Sequence, residues 1–238
     1  MTPKIIHLCW FSNDPYPIEI KICLDTWHRL LPDYTVKVWT YDMARAIGID
    51  FINEALEEHR WAFAADVVRF YAVWKEGGVY MDSDILLFRR FDSFIPDEGF
   101  STFIEDVREG GTARRLQAAF FIGSAGNTFC KDMLDYYRHR HYRNADGTQD
   151  NTISPMIMGD MAVKYGFKAQ NVEQTLDGGI HIYPTHFLAP KKNYPVDGDT
   201  IGQHRIYGSW RKRKLGRRIE IAVSRWWFVF RYRLRHRI

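Results

Sequence analysis

Two acidic residues, Asp82 and Asp84, stand one position apart inside the otherwise apolar run GGVYMDSDILLF, Gly77 to Phe88. Without them, VYM and ILLF read as segments of a buried central strand. A carboxylate placed there must meet water, a cation or a hydrogen-bond donor, because an unpaired buried charge is strongly disfavoured. On an extended strand, side chains two apart share a face, so both carboxylates are expected to point the same way, with Ser83 opposite. A cation relieves their repulsion, and oxygen donors select hard ions such as Mg²⁺ or Mn²⁺, which commonly act with phosphates. Taken alone, D-x-D more often describes two solvated acids at a strand end.

The preceding segment changes that balance. In WAFAADVVRFYAVWKEGG, Val67, Phe70, Val73 and Trp74 form an apolar helical stripe, while Asp66 and Arg69, at i and i+3, share a face. The helix passes through Gly77 and Gly78 directly into the acidic strand, so this charged face can lie beside the carboxylates. A surface ion pair would contribute little; a polar pair on an apolar helix is better explained as lining a site. Far along the chain, GQHRIYGSW offers His204, an imidazole that Mn²⁺ accepts beside carboxylates, and Trp210, a flat face with an N–H donor.

Around these residues the pattern alternates. Ile5–Phe11 reads as a first strand, Ile18, Ile22, Trp27 and Leu30 as a helix, and TVKVW as a second strand; helices are expected over 50–59 and 62–76. A strand QAAFFIG, a helix from Thr128 to His141, a short helix with Ser154 as N-cap and Pro155 at its first position, and a strand IHIYP follow. Alternation of this kind predicts an α/β fold with a mainly parallel sheet. Residues 105–118, EDVREGGTARRLQA, read as a mobile loop on the acceptor side. With 46% hydrophobic and 16% aromatic residues in 238, the chain can bury a large core.

The net charge of +4 conceals an asymmetry. Residues 211–238 hold eleven Lys or Arg and a single acid, Glu220, for +10, leaving −6 on residues 1–210. Two units are therefore expected: a body over 1–210 and a basic, aromatic tail over 211–238. Within the tail Ile219, Val223, Trp226, Trp227 and Phe230 follow helical spacing, which predicts a helix lying on an anionic membrane surface; the final RYRLRHRI alternates with period two and argues against helix there. The start, MTPKIIHLCWFS, lacks a leader's cleavage pattern, and no run reaches the ~18 apolar residues of a membrane span. A cytoplasmic protein, peripheral on the inner face of the membrane, is expected. Cys9, Cys23 and Cys130 have no paired spacing and read as buried thiols.

The series PKIIHLCWFS, LPDYTVKVW, FAADVVRFYAVWKEGGVYMDSDI and HRIYGSW resembles glycosyltransferases with a DXD sugar-binding region: yeast initiating mannosyltransferases, bacterial capsular-polysaccharide enzymes and the catalytic domains of clostridial toxins. The order A-x-D-x-x-R then G-G-x-Y-x-D-x-D carries the resemblance. It implies a Rossmann-like GT-A fold binding a nucleotide-sugar, with UDP-sugars favoured, Mn²⁺ or Mg²⁺ as cofactor, and a retaining transfer to a saccharide acceptor, lipid-linked in a capsule, O-antigen or lipooligosaccharide route. By the same resemblance Trp10 stacks on the base, Asp66 and Arg69 hold donor-sugar hydroxyls, Asp82 contacts ribose and sugar and reaches the metal through water, Asp84 ligates the metal directly, and His204 with Ser209 and Trp210 completes the metal shell and covers the diphosphate. Where bacterial relatives read H-H-x-x-G-S-W, this chain has Arg205, whose role is left open between neutralising phosphate and facing water.

Two other classes fit less of the chain. Aspartyl-phosphate phosphohydrolases carry D-x-D on the first strand with Thr or Val two residues on, where this chain has Leu86. A binding module whose basic tail grips nucleic acid lacks any nucleic-acid motif here and has an acidic body, so no nucleic-acid partner is expected.

Overall fold

The computed structural model describes residues 2–107, 114–191, 194–206 and 215–236. The chain opens with β1 (Ile5–Cys9), α1 (Ile18–Leu30) and β2 (Thr35–Trp39), a β-α-β unit in which β1 and β2 pair in parallel from Ile5 opposite Thr35 to Cys9 opposite Trp39. Three helices follow, α2 (Tyr41–Arg45), α3 (Asp50–Glu57) and α4 (Trp61–Glu76), before the chain returns as β3 (Gly78–Met81), parallel to β1 on its other side. Then come β4 (Ile85–Leu87), β5 (Phe100–Val107), β6 (Arg114–Gly123), α5 (Thr128–Arg138), α6 (Ser154–Val163), β7 (Gln174–Leu176), β8 (Ile180–Tyr183), β9 (Leu188–Ala189), β10 (Gly202–His204) and α7 (Leu215–His236).

The main sheet has the order β2-β1-β3-β6-β5-β8-β7. It is parallel through β2-β1-β3, the half that carries the acids, and mixed beyond: β3–β6, β5–β6 and β7–β8 are antiparallel, and β5–β8 is parallel. Both faces are apolar, because successive side chains alternate between two cores. Tyr80 and Phe121 point into the core under α3, α4, α5 and α6, while Val79, Met81, Phe120 and Ile122 point into the one with Trp27 of α1. Trp27 is fully buried and its indole N–H donates to the Ile85 carbonyl at 2.8 Å, pinning α1 to β4.

Gly78 controls how α4 enters the sheet. It has φ 107°, and a Cβ there would lie 2.6 Å from the Ile5 carbonyl oxygen, so only glycine lets β3 approach β1 closely. His7 of β1 fastens the same junction: its Nδ1 accepts the Trp39 indole N–H at 3.2 Å, which leaves Nε2–H to donate to the Gly77 carbonyl at 2.8 Å. Burial holds the His7 imidazole below its usual pKa and therefore neutral.

Four local expectations are corrected. The acidic pair is not on a strand: β3 stops at Met81, the Ile85 N–H donates to the Asp82 carbonyl at 3.0 Å, and Asp82–Ile85 is a turn between β3 and β4. Residues 105–107 and 114–118 are strand rather than loop, because β5 and β6 pair as far as Val107 opposite Arg114. Ser154 is the first helical residue of α6, not its cap. The period-two stretch at the C-terminus is helical as far as His236, so local alternation yields there to the longer apolar stripe.

α7 packs along α1. Phe228, Val229 and Tyr232 join a small core with Ile22, Cys23 and Leu86, and the Tyr232 hydroxyl bonds Asp25 and accepts from Arg29. Its other side leaves Val223, Trp226, Trp227, Phe230 and Leu234 exposed, Trp226 at 60%. Among the described residues, no helix is long and apolar enough to cross a membrane.

Candidate functional site

The turn that ends β3 gathers the site. Asp82 extends the β3 ladder by one bond, its N–H donating to the Ala119 carbonyl at 2.8 Å, so its side chain follows Tyr80 onto the α4 face. The Tyr80 hydroxyl donates to Asp82 Oδ1 at 2.7 Å. Asp84 lies within the turn, one residue before β4 and the small sheet β4-β10-β9 take over. β10 runs antiparallel to β4 with His204 opposite Ile85, and the Arg205 N–H continues this ladder to the Asp84 carbonyl at 3.0 Å. That register sets His204 Nε2 at 3.4 Å from Asp84 and 3.9 Å from Asp82.

Asp82, Asp84 and His204 each offer a ligand atom, all within 4.8 Å of one another. The donors are two carboxylates and an imidazole, a set that suits Mn²⁺ and tolerates Mg²⁺. Burial disfavours the charged imidazole of His204, but Asp84 and Asp82 outweigh it and push its pKa up to about 9. His204 Nδ1 is buried with no hydrogen-bond partner among the described residues, while Nε2 faces both carboxylates, so a cation held among the three would take the place of the Nε2 proton. The residues fit a divalent ion.

Below the acids, α4 presents Asp66 and Arg69, 8% and 5% exposed. Arg69 Nη2 lies 2.8 Å from Asp66 Oδ1 and 3.7 Å from Asp82 Oδ1; its Nη1 donates to the Ala118 carbonyl at 2.6 Å, its Nε to the Ala65 carbonyl at 3.0 Å, and its guanidinium lies over the Tyr80 ring. Asp66 accepts the Ser154 N–H from the first turn of α6 at 3.3 Å. Burial, partly offset by Arg69, pushes the Asp66 carboxyl up to about 6. The two side chains are thus fixed from three elements before any ligand arrives.

All of these groups line one cleft of about 710 Å³, which also takes in Trp10. Trp10 follows β1, is held edge-on to Tyr16 at 4.6 Å, and donates from its indole N–H to the Asp14 carbonyl at 3.0 Å. Of the residues expected from sequence, the structure therefore brings together Trp10, Asp66, Arg69, Asp82, Asp84 and His204; Ser209 and Trp210 lie outside the described residues. Arg205 lies over the ring of Phe228 of α7 at 4.0 Å and donates to Gln203.

Residues 17–101 match the family model described as the glycosyltransferase sugar-binding region containing the DXD motif, a span that holds Asp66, Arg69, Asp82 and Asp84. That stretch is similar to a DXD glycosyltransferase region. Inositol phosphoceramide mannosyltransferase 3 of Schizosaccharomyces pombe is 32% identical over 100 residues, 39% of this chain and 27% of that protein, so the chain spans about a quarter of its length. Among solved structures, PaToxG glycosyltransferase superposes with a TM-score of 0.53 over 68% of this chain and 69% of its own, at 16% identity. The shared architecture is the GT-A fold.

The DXD region ends short of three further cleft residues, Glu105 of β5 and Arg115 and Gln117 of β6. Sequence reasoning placed them in a loop on the acceptor side, with Gln117 also opening the strand QAAFFIG, and gave none of them a role of its own. The alternation of polar Arg115 and Gln117 with buried Leu116 in RLQAAFF is the signal that would have marked a strand with one face on a polar cleft.

Proposed function

We propose that this protein is a retaining, metal-dependent glycosyltransferase that moves a sugar from a nucleotide-sugar, a UDP-sugar in the first instance, to a saccharide acceptor. The convergence of Asp82, Asp84 and His204 within 4.8 Å, directly above the Asp66–Arg69 pair, supports this reading. A divalent cation held by those three residues supplies neutralisation of the diphosphate. Trp10 offers the base a flat partner at the far end of the cleft, and Asp66 and Arg69 offer the donor sugar an acceptor and a forked donor.

In the reaction the acceptor hydroxyl oxygen forms a bond to the anomeric carbon as the bond from that carbon to the diphosphate breaks. The hydroxyl proton passes to the departing phosphate oxygen on the same face, which retains configuration without a covalent enzyme intermediate. Positive charge accumulating on the sugar ring meets Asp66 and Asp82, negative groups already held in place. The exposed aromatic side of α7 and the +10 charge of residues 211–238 further support a peripheral position on an anionic membrane, where a lipid-linked acceptor of a capsule, O-antigen or lipooligosaccharide route would lie. Incubation with UDP- and GDP-sugars and Mn²⁺ tests the reading: metal-dependent release of the nucleoside diphosphate with at least one donor supports it, and no release with any donor contradicts it.

A further inference from the structure

The sheet edge over which the cleft opens is built from the C-terminal ends of β1, β3 and β5 and the N-terminal end of β6. Along this edge the order is Trp10 after β1, Asp82 after β3, then Arg115 and Gln117 of β6, then Glu105 of β5. The hairpin residues therefore lie on the opposite side of the acids from Trp10. If the base lies at Trp10 and the diphosphate at Asp82 and Asp84, the hairpin faces the space from which a hydroxyl must approach.

These three side chains are also unsatisfied. Glu105 Oε2, Arg115 Nε and Gln117 Nε2 are all buried and have no hydrogen-bond partner among the described residues, and Gln117 is 1% exposed. Gln117 is held in place through its Oε1, which accepts the Ala119 N–H at 3.4 Å, leaving the amide N–H₂ as the free end. Buried polar groups left unpaired are costly, and several pointing into one cleft mark a place where a ligand completes the hydrogen bonding. The set pairs an acceptor, Glu105, with two donors, Arg115 and Gln117. Such a set matches neighbouring hydroxyls, each of which both donates and accepts; opposed charges on Glu105 and Arg115 give no net preference for an anion.

We infer that Glu105, Arg115 and Gln117 form a subsite for the hydroxyl groups of a neutral sugar, the acceptor unit. This rests on the glycosyltransferase reading, and the two are separable by experiment. Full-length protein with Mn²⁺ and UDP, and again with Mn²⁺ and GDP, is titrated with methyl α-mannoside, methyl α-glucoside, methyl β-galactoside and lactose by saturation-transfer NMR. Nucleotide affinity is measured separately by calorimetry. At least one of these saccharides is expected to bind wild-type protein, and Glu105→Gln, Arg115→Lys and Gln117→Leu are each expected to weaken it by about tenfold or more, with nucleotide affinity held within about threefold. Melting temperatures identify any variant that fails to fold; Glu105→Gln, which keeps shape and length, and Arg115→Lys, which keeps the charge, carry the test if Gln117→Leu does. The inference is overturned if no saccharide binds the wild type, if these variants bind it as wild type does, or if nucleotide affinity falls in step. Failure of both nucleotides to bind the wild type instead strikes the donor reading, while the saccharide arm still reports on the hairpin.

Discussion

Asp84 has a narrow set of neighbours, and its substitution separates chemistry from folding. It is 7% exposed, faces His204, and its backbone carbonyl rather than its side chain holds the β10 ladder. Asp84→Ala should therefore keep the fold, as read by far-UV circular dichroism and melting temperature, while cutting donor hydrolysis by about a hundredfold or more, the scale of losing one electrostatic contact to the transition state. Retained hydrolysis in that variant would remove Asp84 from the chemistry. Arg69 supports a different split. Its fork reaches Asp66, Asp82 and the Ala118 carbonyl at once, a geometry lysine cannot reproduce. Arg69→Lys should lower turnover of the nucleotide-sugar far more than affinity for the free nucleoside diphosphate, since only the sugar hydroxyls lose a partner. Equal losses in kinetics and in calorimetric nucleotide binding would assign Arg69 a structural role.

At the scale of elements, the site depends on how α4 turns into β3. Gly78 admits no side chain there, so Gly78→Ala should destabilise the protein by about 2 kcal/mol or more, through positive φ and the clash with Ile5 together. A chemical denaturation midpoint unchanged by the substitution would show that β1 and β3 can separate without cost. His7 ties the same junction and adds a pH dependence. Its folded pKa is depressed by burial, opposed by Glu76 and the Gly77 carbonyl and reinforced by Lys37. The unfolded chain therefore takes up a proton below about pH 6.5 that the folded chain refuses, and stability falls as pH drops through that region. In His7→Gln the melting temperature between pH 7 and 5 should fall less steeply than in the wild type; parallel curves would exclude His7 as the cause. Which of these elements the sequence foretold follows from range. α4, β1 and β2 were legible because their apolar periods are long and local. The Asp82–Ile85 turn was not, because VYMDSDILLF carries no Gly or Pro and only the pairing of β4 with distant β10 breaks the strand there. Likewise the β5–β6 hairpin looked like a loop because charge and glycine between the strands masked polar residues that face a cleft rather than water.

On the whole-molecule scale, α7 is a two-sided element. Phe228, Val229 and Tyr232 hold it to α1, and on the far side Trp226 stacks on Phe230 while Trp227 meets both edge-on. Deleting the helix would uncover Ile22, Cys23 and Leu86, so the cleaner change is Trp226→Glu with Trp227→Glu and Phe230→Glu, which alters only the outward side. Wild-type protein should sediment with vesicles of phosphatidylglycerol and phosphatidylethanolamine at low salt, and less at high salt, while the triple variant stays in solution with donor hydrolysis intact. Equal sedimentation of both proteins would assign the aromatic side another partner. The tail's charge and helical spacing were legible in sequence, but its docking on α1 was not, since Arg205 and Phe228 meet only in three dimensions. The cleft, finally, is a single proposition about the molecule: it binds a nucleoside diphosphate through a cation held by Asp82, Asp84 and His204. Calorimetric titration of UDP into the protein with Mn²⁺, with EDTA, and into Asp84→Ala with Mn²⁺ tests it most directly. Binding with Mn²⁺ that is lost in EDTA and in the variant is the expected result; equal affinity in all three titrations would contradict it.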